Sequence, residues 1–198
     1  MTHSVVVRPY VDADERGWLE CRVLAFLDSA YYDAVEREKE HYNRPSVELV
    51  ADLGGTIVGL IDVELEEEPG TVCEDRPGLG GMIWHLAVLR DFRRQGIASR
   101  LLAAAEEAVR ERSIERFEAW TRDDAWVQRW YESHGFVKIR SYLHVYVHGK
   151  SETTGVVSAE FDLKPQLVFA HYTGDRPDEI RARFERVHDC VCYERRFA

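Results

Sequence analysis

The run GMIWHLAVL (Gly81 to Leu89) followed by RDFRRQGIASRLL (Arg90 to Leu102) constrains this chain more than any other stretch. The first part is largely apolar and reads as a strand buried on both faces. From Ile97 onward, Leu101, Leu102, Ala105, Ala108 and Val109 recur at helical spacing, so an amphipathic helix runs to about Arg112. The short loop between them carries Arg90, Arg93, Arg94 and Gly96. An apolar strand, a short loop, a glycine and a helix start make a site for an anion. The first N–H groups of the helix lack internal partners, the helix dipole is positive at that end, and Gly96 lets backbone approach a phosphate closely. Arg93 and Arg94 can add charge-assisted contacts. The loop is neither a Walker loop nor a GxGxxG fingerprint, which disfavours nucleotide hydrolysis and ordinary NAD binding. A solvated basic loop is the plainer alternative.

The flanking elements alternate in a pattern of their own. VVVRPY (Val5 to Tyr10) reads as a strand, and a capping box at Asp12 to Glu15 opens a helix carrying Trp18, Leu19, Val23, Phe26 and Leu27. A second helix is expected over Tyr31 to Glu40. VELVADL, Gly54-Gly55 and TIVGLIDVELE predict an antiparallel hairpin. Glu66 to Gly80, rich in acids, Pro and Gly, should be a surface loop. RFEAWT (Arg116 to Thr121) returns to strand. Asp123 and Asp124 offer caps for a helix with Trp126, Val127, Trp130 and Tyr131, ended by a left-handed Gly135, and FVKIRSYLHVYV is a long strand. This order predicts a mixed α/β sheet with helices on its faces. Beyond Gly149, VVSAEFDLKPQLVFAHY holds two strand-like runs broken at Pro165, RPDEIRARFERV a short helix and DCVCYERRF a closing strand.

A chain of 198 residues with 45% hydrophobic content fits one domain with a terminal elaboration. A formal net charge of −10 argues against nucleic-acid binding, although a local basic cluster can still hold one small anion. Cys21, Cys73, Cys190 and Cys192 have no zinc spacing, so a reduced, metal-free protein is expected, with the CxC packed in a terminal strand. No apolar run approaches the roughly 20 residues of a membrane span, and no signal peptide is legible, so a cytoplasmic location is expected.

Arg93-Arg94-Gln95-Gly96-Ile97-Ala98 matches the pattern Q/R-x-x-G-x-G/A, and WYESHGF (Trp130 to Phe136) has the form Y-E-x-x-G-F. Together these resemble the GNAT superfamily of acetyl-CoA-dependent N-acetyltransferases over roughly Val5 to Val147. The resemblance implies an α/β (α+β) fold with a mixed, mostly antiparallel central sheet flanked by helices. Residues 1–149 would form the acetyltransferase domain. Residues 150–198 would be a strand-helix-strand extension, packed on the same domain or mediating a homodimer. Acetyl-CoA is the implied donor. Its pyrophosphate would rest on backbone amides of Arg94, Gln95, Gly96, Ile97, Ala98 and Ser99 with help from Arg93 or Arg94, and its pantetheine arm would pair with Leu86, Ala87 and Val88.

The acceptor implied is a primary amine of a small molecule or peptide, attacking the thioester directly in a ternary complex. Tyr131 would be the general acid and His85 or Glu64 the general base, with Glu66 a further competitor whose plainer reading is a solvated strand edge. His85 stands where many relatives have glutamate. Asp124 stands where asparagine is usual, which keeps a capping role but weakens a contact to the cofactor. The acceptor would enter near Tyr31, Tyr32, Asp33, Glu36 and the loop Glu66 to Glu68. The competing functions are a coenzyme-A-binding sensor or interaction module without catalysis, and an acyltransferase using another acyl-CoA.

Overall fold

Gly54 and Gly55 adopt left-handed backbone, with φ of 61° and 95°. Side chains rarely tolerate that conformation, so the pair specifies a tight turn. It joins β2 (Ser46–Leu53) to β3 (Thr56–Leu65) as the expected antiparallel hairpin. In the structure, a computed structural model that describes residues 4–197, this hairpin belongs to one eight-stranded sheet. β1 (Val6–Pro9) pairs with β2 at one edge, and β4 (Leu79–Val88) runs antiparallel to β3. β4 and β5 (Ile114–Thr121) are parallel, a pairing that needs a crossover, and α2 (Ile97–Val109) lies in the connection. Past β5 the order is β8 (Arg186–Arg196), β6 (Val137–His148) and β7 (Leu167–Tyr172), all antiparallel. The mixed, mostly antiparallel sheet flanked by helices is thus present.

One face of the hairpin region is covered by α2, whose Ile97, Leu101, Leu102, Ala105 and Val109 are all buried in the main core. Each large apolar side chain so buried contributes roughly 1.5–3 kcal/mol relative to exposure. α1 (Glu15–Phe26) lies against β3 and β4, with Trp18, Cys21 and Ala25 packed on Val50, Leu60 and Ala87. α3 (Ala125–Ser133) presents Tyr131 to the main core and ends at Gly135, whose φ of 79° makes it the left-handed stop its position predicts. Two short helices, α4 (Gly149–Thr153) and α5 (Pro177–Arg183), complete the chain. Among the described residues no helix is long and apolar enough to cross a membrane.

Several local expectations are corrected. The buried stripe of α1 is Trp18, Cys21, Arg22 and Ala25, while Leu27 is 54% exposed. The helix has rotated to bury the Arg22 guanidinium, which no apolar pattern announces. Glu15 does not close a capping box. Its Oε1 accepts from Lys39 N–H, and Asp14 accepts from Val11 N–H instead. No helix forms over Tyr31 to Glu40: after a turn at Tyr31–Asp33 the backbone is irregular, because its side chains are drawn to several different elements. Trp84 is 46% exposed, so β4 is not buried on both faces there. In the tail, the run from Val156 is not a strand, and Phe161 and Asp162 sit at φ of 56° and 55° with Phe161 exposed. The closing strand β8 lies inside the sheet, between β5 and β6, with Cys190 and Cys192 buried in it.

Glu66 is 3% exposed rather than solvated. Its carboxylate accepts N–H bonds from Val72, Cys73 and Gly80, folding the loop back on the sheet. Beside it Arg116 is fully buried and donates to Glu118 at 3.0 Å, to Glu74 O at 3.0 Å and to Gly78 O at 2.5 Å, with Glu194 at 3.4 Å. One guanidinium thereby serves three buried carboxylates, Glu66, Glu118 and Glu194, and three loop carbonyls, those of Glu74, Pro77 and Gly78. Arg116→Met should cost about 3–5 kcal/mol, because it strands Glu66, Glu118 and Glu194; urea unfolding measures it, and a loss below about 1 kcal/mol contradicts it. A chain ending at Glu185 lacks the strand that holds Val191 and Tyr193 in the main core. It should show no cooperative thermal transition, which circular dichroism at increasing temperature tests.

Candidate functional site

The site is built on a fork between two parallel strands. β4 pairs with β3 from Gly81 to Val88, yet with β5 only from Leu79 to Ile83. A bulge opposite Asp62 and Val63 sets Trp84 out of register, and past Ala119 strand β5 continues against β8 through Trp120 and Thr121. From Trp84 onward β4 therefore has no strand partner on its β5 side. Leu86, Ala87 and Val88 present an edge of backbone donors and acceptors there, of the kind an extended ligand pairs with.

The chain leaves β4 through a turn at Arg90–Phe92 and reaches α2 by way of two left-handed residues, Arg94 at φ 60° and Gly96 at φ 77°. Gly96 caps α2 with no side-chain hydrogen bond. The amide groups at the start of α2 thus have no side-chain cap, and left-handed residues in a turn cup such amides into an anion-binding concavity. Arg94, Gln95 and Gly96 are exposed, and a Cβ built on Gly96 meets nothing within 4 Å, so the approach is open. Arg93 is employed otherwise. It donates to Ala25 O at 2.8 Å and Val88 O at 3.2 Å, pairs with Asp28 at 3.3 Å and lies over the Trp126 ring. Of the two arginines, Arg94 is the one without such ties. Ser99 Oγ meets His134 Nε2 at 2.7 Å, linking the start of α2 to the end of α3, while the Ile97 side chain packs in the core and Ala98 is half-buried.

Tyr131 packs in the same apolar cluster as Ile83 and Ala119, the last paired residues before the fork. Its ring stacks on Tyr193 at 5.6 Å and meets Phe136 edge-on. Burial pushes its phenol well above the ordinary tyrosine range, so it stays protonated. Asp124 begins α3 through its backbone carbonyl, but its side chain does not cap the helix. Oδ2 accepts from Ala30 N–H at 2.9 Å, holding the segment that follows α1.

His85 lies two positions past Ile83, 5% exposed, on the sheet face beneath α1. Arg22 Nε donates to its Nδ1 at 3.3 Å, which puts the ring proton on Nε2, where Glu40 Oε2 accepts at 2.8 Å. Both nitrogens are engaged in this arrangement. Glu64 accepts from Trp84 Nε1 at 2.9 Å and faces Arg44 at 3.5 Å. Asp62, the cross-strand partner of His85, is fully buried. It pairs with the equally buried Lys39 at 2.9 Å, and Glu48 pairs with the same ammonium at 2.5 Å. Burial opposes the charge on Lys39, but Asp62 and Glu48 outweigh it and hold its pKa above the usual lysine value.

On the β5 side of the fork Arg122 donates to His144 Nδ1 at 3.0 Å and to Tyr146 OH at 2.6 Å, and also to Ala30 O. Burial, with Arg122, pulls His144 down to about 3, so it stays neutral. Arg186 holds Asp33 at 2.6 Å, while Tyr31 lies under Arg122. Residues 27–45 therefore cross the fork, anchored to β5 and β8 at one end and to α1 and β4 at the other. Sequence reasoning missed Arg22, Lys39, Glu40, Asp62, Arg122 and His144. The available signal was Asp62 in the otherwise apolar IVGLIDV, since a charge at an inward position needs a buried partner.

A family model for the Acetyltransferase (GNAT) family matches residues 13–136. Among curated proteins none matches the sequence. Among solved structures, a GNAT-family acetyltransferase from Streptococcus pneumoniae is similar with a TM-score of 0.61 and 12% identity, over 98% of this chain and 100% of that one. The ribosomal-protein-alanine N-acetyltransferase of Brucella melitensis aligns at 0.60 and 18%, over 97% and 99%. The PaiA N-acetyltransferase of Thermoplasma acidophilum, solved in complex with coenzyme A, aligns at 0.58 and 11%, over 98% and 99%. At such identities the likeness is one of fold. The family model covers more than half of the chain, and the chain belongs to the GNAT acetyltransferase family.

Proposed function

We propose that this protein transfers the acetyl group of acetyl-CoA to a primary amine of a small molecule or peptide, by direct attack within a ternary complex. The observation that carries the reading is the meeting of two features at one place: the unpaired β4 edge at Leu86 to Val88, and the α2 start without a side-chain cap behind Arg94 and Gly96. A ligand with an extended amide-bearing arm and a pyrophosphate fits both at once. The coenzyme A in the Thermoplasma relative is such a molecule. Acetyl-CoA would supply the thioester carbonyl that the amine attacks.

In this reading the amides from Arg94 to Ser99 hold the pyrophosphate, with Arg94 adding charge, and Leu86 to Val88 align the arm. Tyr131 donates a proton to the departing sulfur, a role suited to a buried phenol that stays protonated. The amine gives up its proton on the sheet face that bears His85 and Glu64. Use of His85 as the acceptor of that proton requires Arg22 to leave Nδ1, the ring nitrogen without a proton. Asp124 supports the site indirectly, through Ala30.

Tyr131→Phe should bind acetyl-CoA within about twofold of wild type while kcat falls by about 100-fold or more. Calorimetry and thiol release from acetyl-CoA with mixed amines measure the two, and an undiminished kcat removes Tyr131 from the acid role. Gly96→Val forces a β-branched residue to φ 77° at an open position, straining the loop by about 1–2 kcal/mol. It should weaken acetyl-CoA binding at least about tenfold, and unchanged affinity means that the donor does not use the α2 start.

A further inference from the structure

Lys39 is held as a ligand is held. Its ammonium lies 4.9 Å from the centre of the Tyr10 ring, 5.1 Å from Trp18 and 5.2 Å from Tyr42. Its three N–H bonds have three acceptors: Glu48 Oε2 at 2.5 Å, Asp62 Oδ2 at 2.9 Å and Glu40 O at 3.1 Å. An aromatic box closed by carboxylates recognises cations, and the Glu48 and Asp62 carboxylates accept N–H bonds from an ammonium. The walls formed by Tyr10, Trp18, Glu48 and Asp62 belong to the body of the protein, while Tyr42 and the Glu40 carbonyl travel with the segment that carries Lys39. Trp18 Nε1 donates to Asp62 Oδ1, so Asp62 is oriented from α1 as well as by the strand that bears it, and Ser46 Oγ orients Glu48.

The piece carrying Lys39 is attached differently. Among the described residues, no backbone N–H of 36–44 donates to a backbone carbonyl, and the segment is docked through side chains: Lys39 in the box, Glu40 on His85, Tyr42 on Asp62 and Arg22 on Glu36. A segment without its own backbone ladder opens at low cost. It also lies where an acceptor must arrive. Asp62 faces His85 across one strand spacing, about 5 Å, at the mouth of the fork.

We propose that the box of Tyr10, Trp18, Glu48 and Asp62 is a binding site for the primary alkylammonium group of the acceptor, and that Lys39 occupies it as a tethered stand-in until the acceptor displaces segment 36–44. This rests on the amine-acceptor reading above. The stand-in fills the cation site and engages His85 through Glu40, so the resting protein has neither a free ammonium site nor a free His85. Displacement by a cationic acceptor frees the ammonium site and exposes the Nε2–H of His85, while Arg22 keeps Nδ1. An amine with a cationic head and a flexible chain suits the site, whereas a neutral alcohol of the same length does not.

The test uses n-butylammonium and 1-butanol as probes on the full chain, without acetyl-CoA. With Lys39→Ala, n-butylammonium should raise the melting temperature and 1-butanol should not, and adding Asp62→Asn should abolish the difference. Equal responses to the two probes overturn the proposal. In wild type, n-butylammonium should accelerate hydrogen exchange of the Lys39 amide, which donates to Glu15 Oε1, and leave β3 and β4 unchanged. Unchanged exchange there overturns the displacement step, and this measurement stands even when Lys39→Ala does not fold. In a turnover assay, Lys39→Ala should lower the KM for a primary alkylamine by at least about tenfold, since the tethered competitor is gone. An unchanged or higher KM in a folded variant also overturns it. If neither protein releases thiol with any amine, the acetyltransferase reading fails, while the probe and exchange experiments still decide whether the box takes an ammonium.

Discussion

The parting of β4 from β5 after Ile83 and Ala119 is the constraint on which the rest of this structure depends. Two parallel strands that stay paired to their ends present no backbone to a ligand. Here the bulge at Trp84 and the continued pairing of β5 with β8 force the strands apart. Backbone groups left open in a fold need a partner from solvent or from a ligand. The same divergence brings the end of β4 to the start of α2, where further amides are open. A donor with both an amide arm and a phosphate is matched by this single feature rather than by a set of specific side chains.

The chain is acidic, yet most of its decisive buried contacts are made by cations. Arg116, Arg22, Arg122 and Lys39 each stand among carboxylates, carbonyls or imidazoles in surroundings that exclude water. Isolated, each would cost several kcal/mol to bury; surrounded by acceptors, each fixes the position of a loop. Arg116 fixes the loop after β3 from below the fork. Arg22 and Arg122 do the same for residues 27–45 from its two sides, each holding a histidine nitrogen and a loop carbonyl. That arrangement makes the segment a cover whose fit depends on a few polar contacts, which differs from a packed helix in how readily it moves.

Much of the fold was legible in local patterns. The hairpin at Gly54-Gly55, the helix from Ile97, the stop at Gly135 and a glycine at the helix start, Gly96, all follow from residue chemistry over short distances. The segment at Tyr31 to Glu40 was misread because its composition is compatible with a helix, and what excludes one is distant: Arg186, His85 and the Lys39 box each pull on a different residue. Glu66 was misread for the same reason, since a carboxylate at the end of a strand looks solvated until the loop that it caps is seen to fold over it.

Sequence alone determined the β2–β3 hairpin, α2 and α3, the chemistry of the α2 start and the family motifs, because those depend on residues within a few positions of one another. Tertiary structure alone decided that the last strand stands inside the sheet, that β4 and β5 fork, and that Arg93 serves as a brace while Arg94 is exposed. It also decided that Lys39, Asp62 and Glu48 meet beneath α1. Each of these joins residues far apart in the chain through burial and charge pairing, and the energy of a buried charge is set by what surrounds it in space, which its sequence neighbours do not specify.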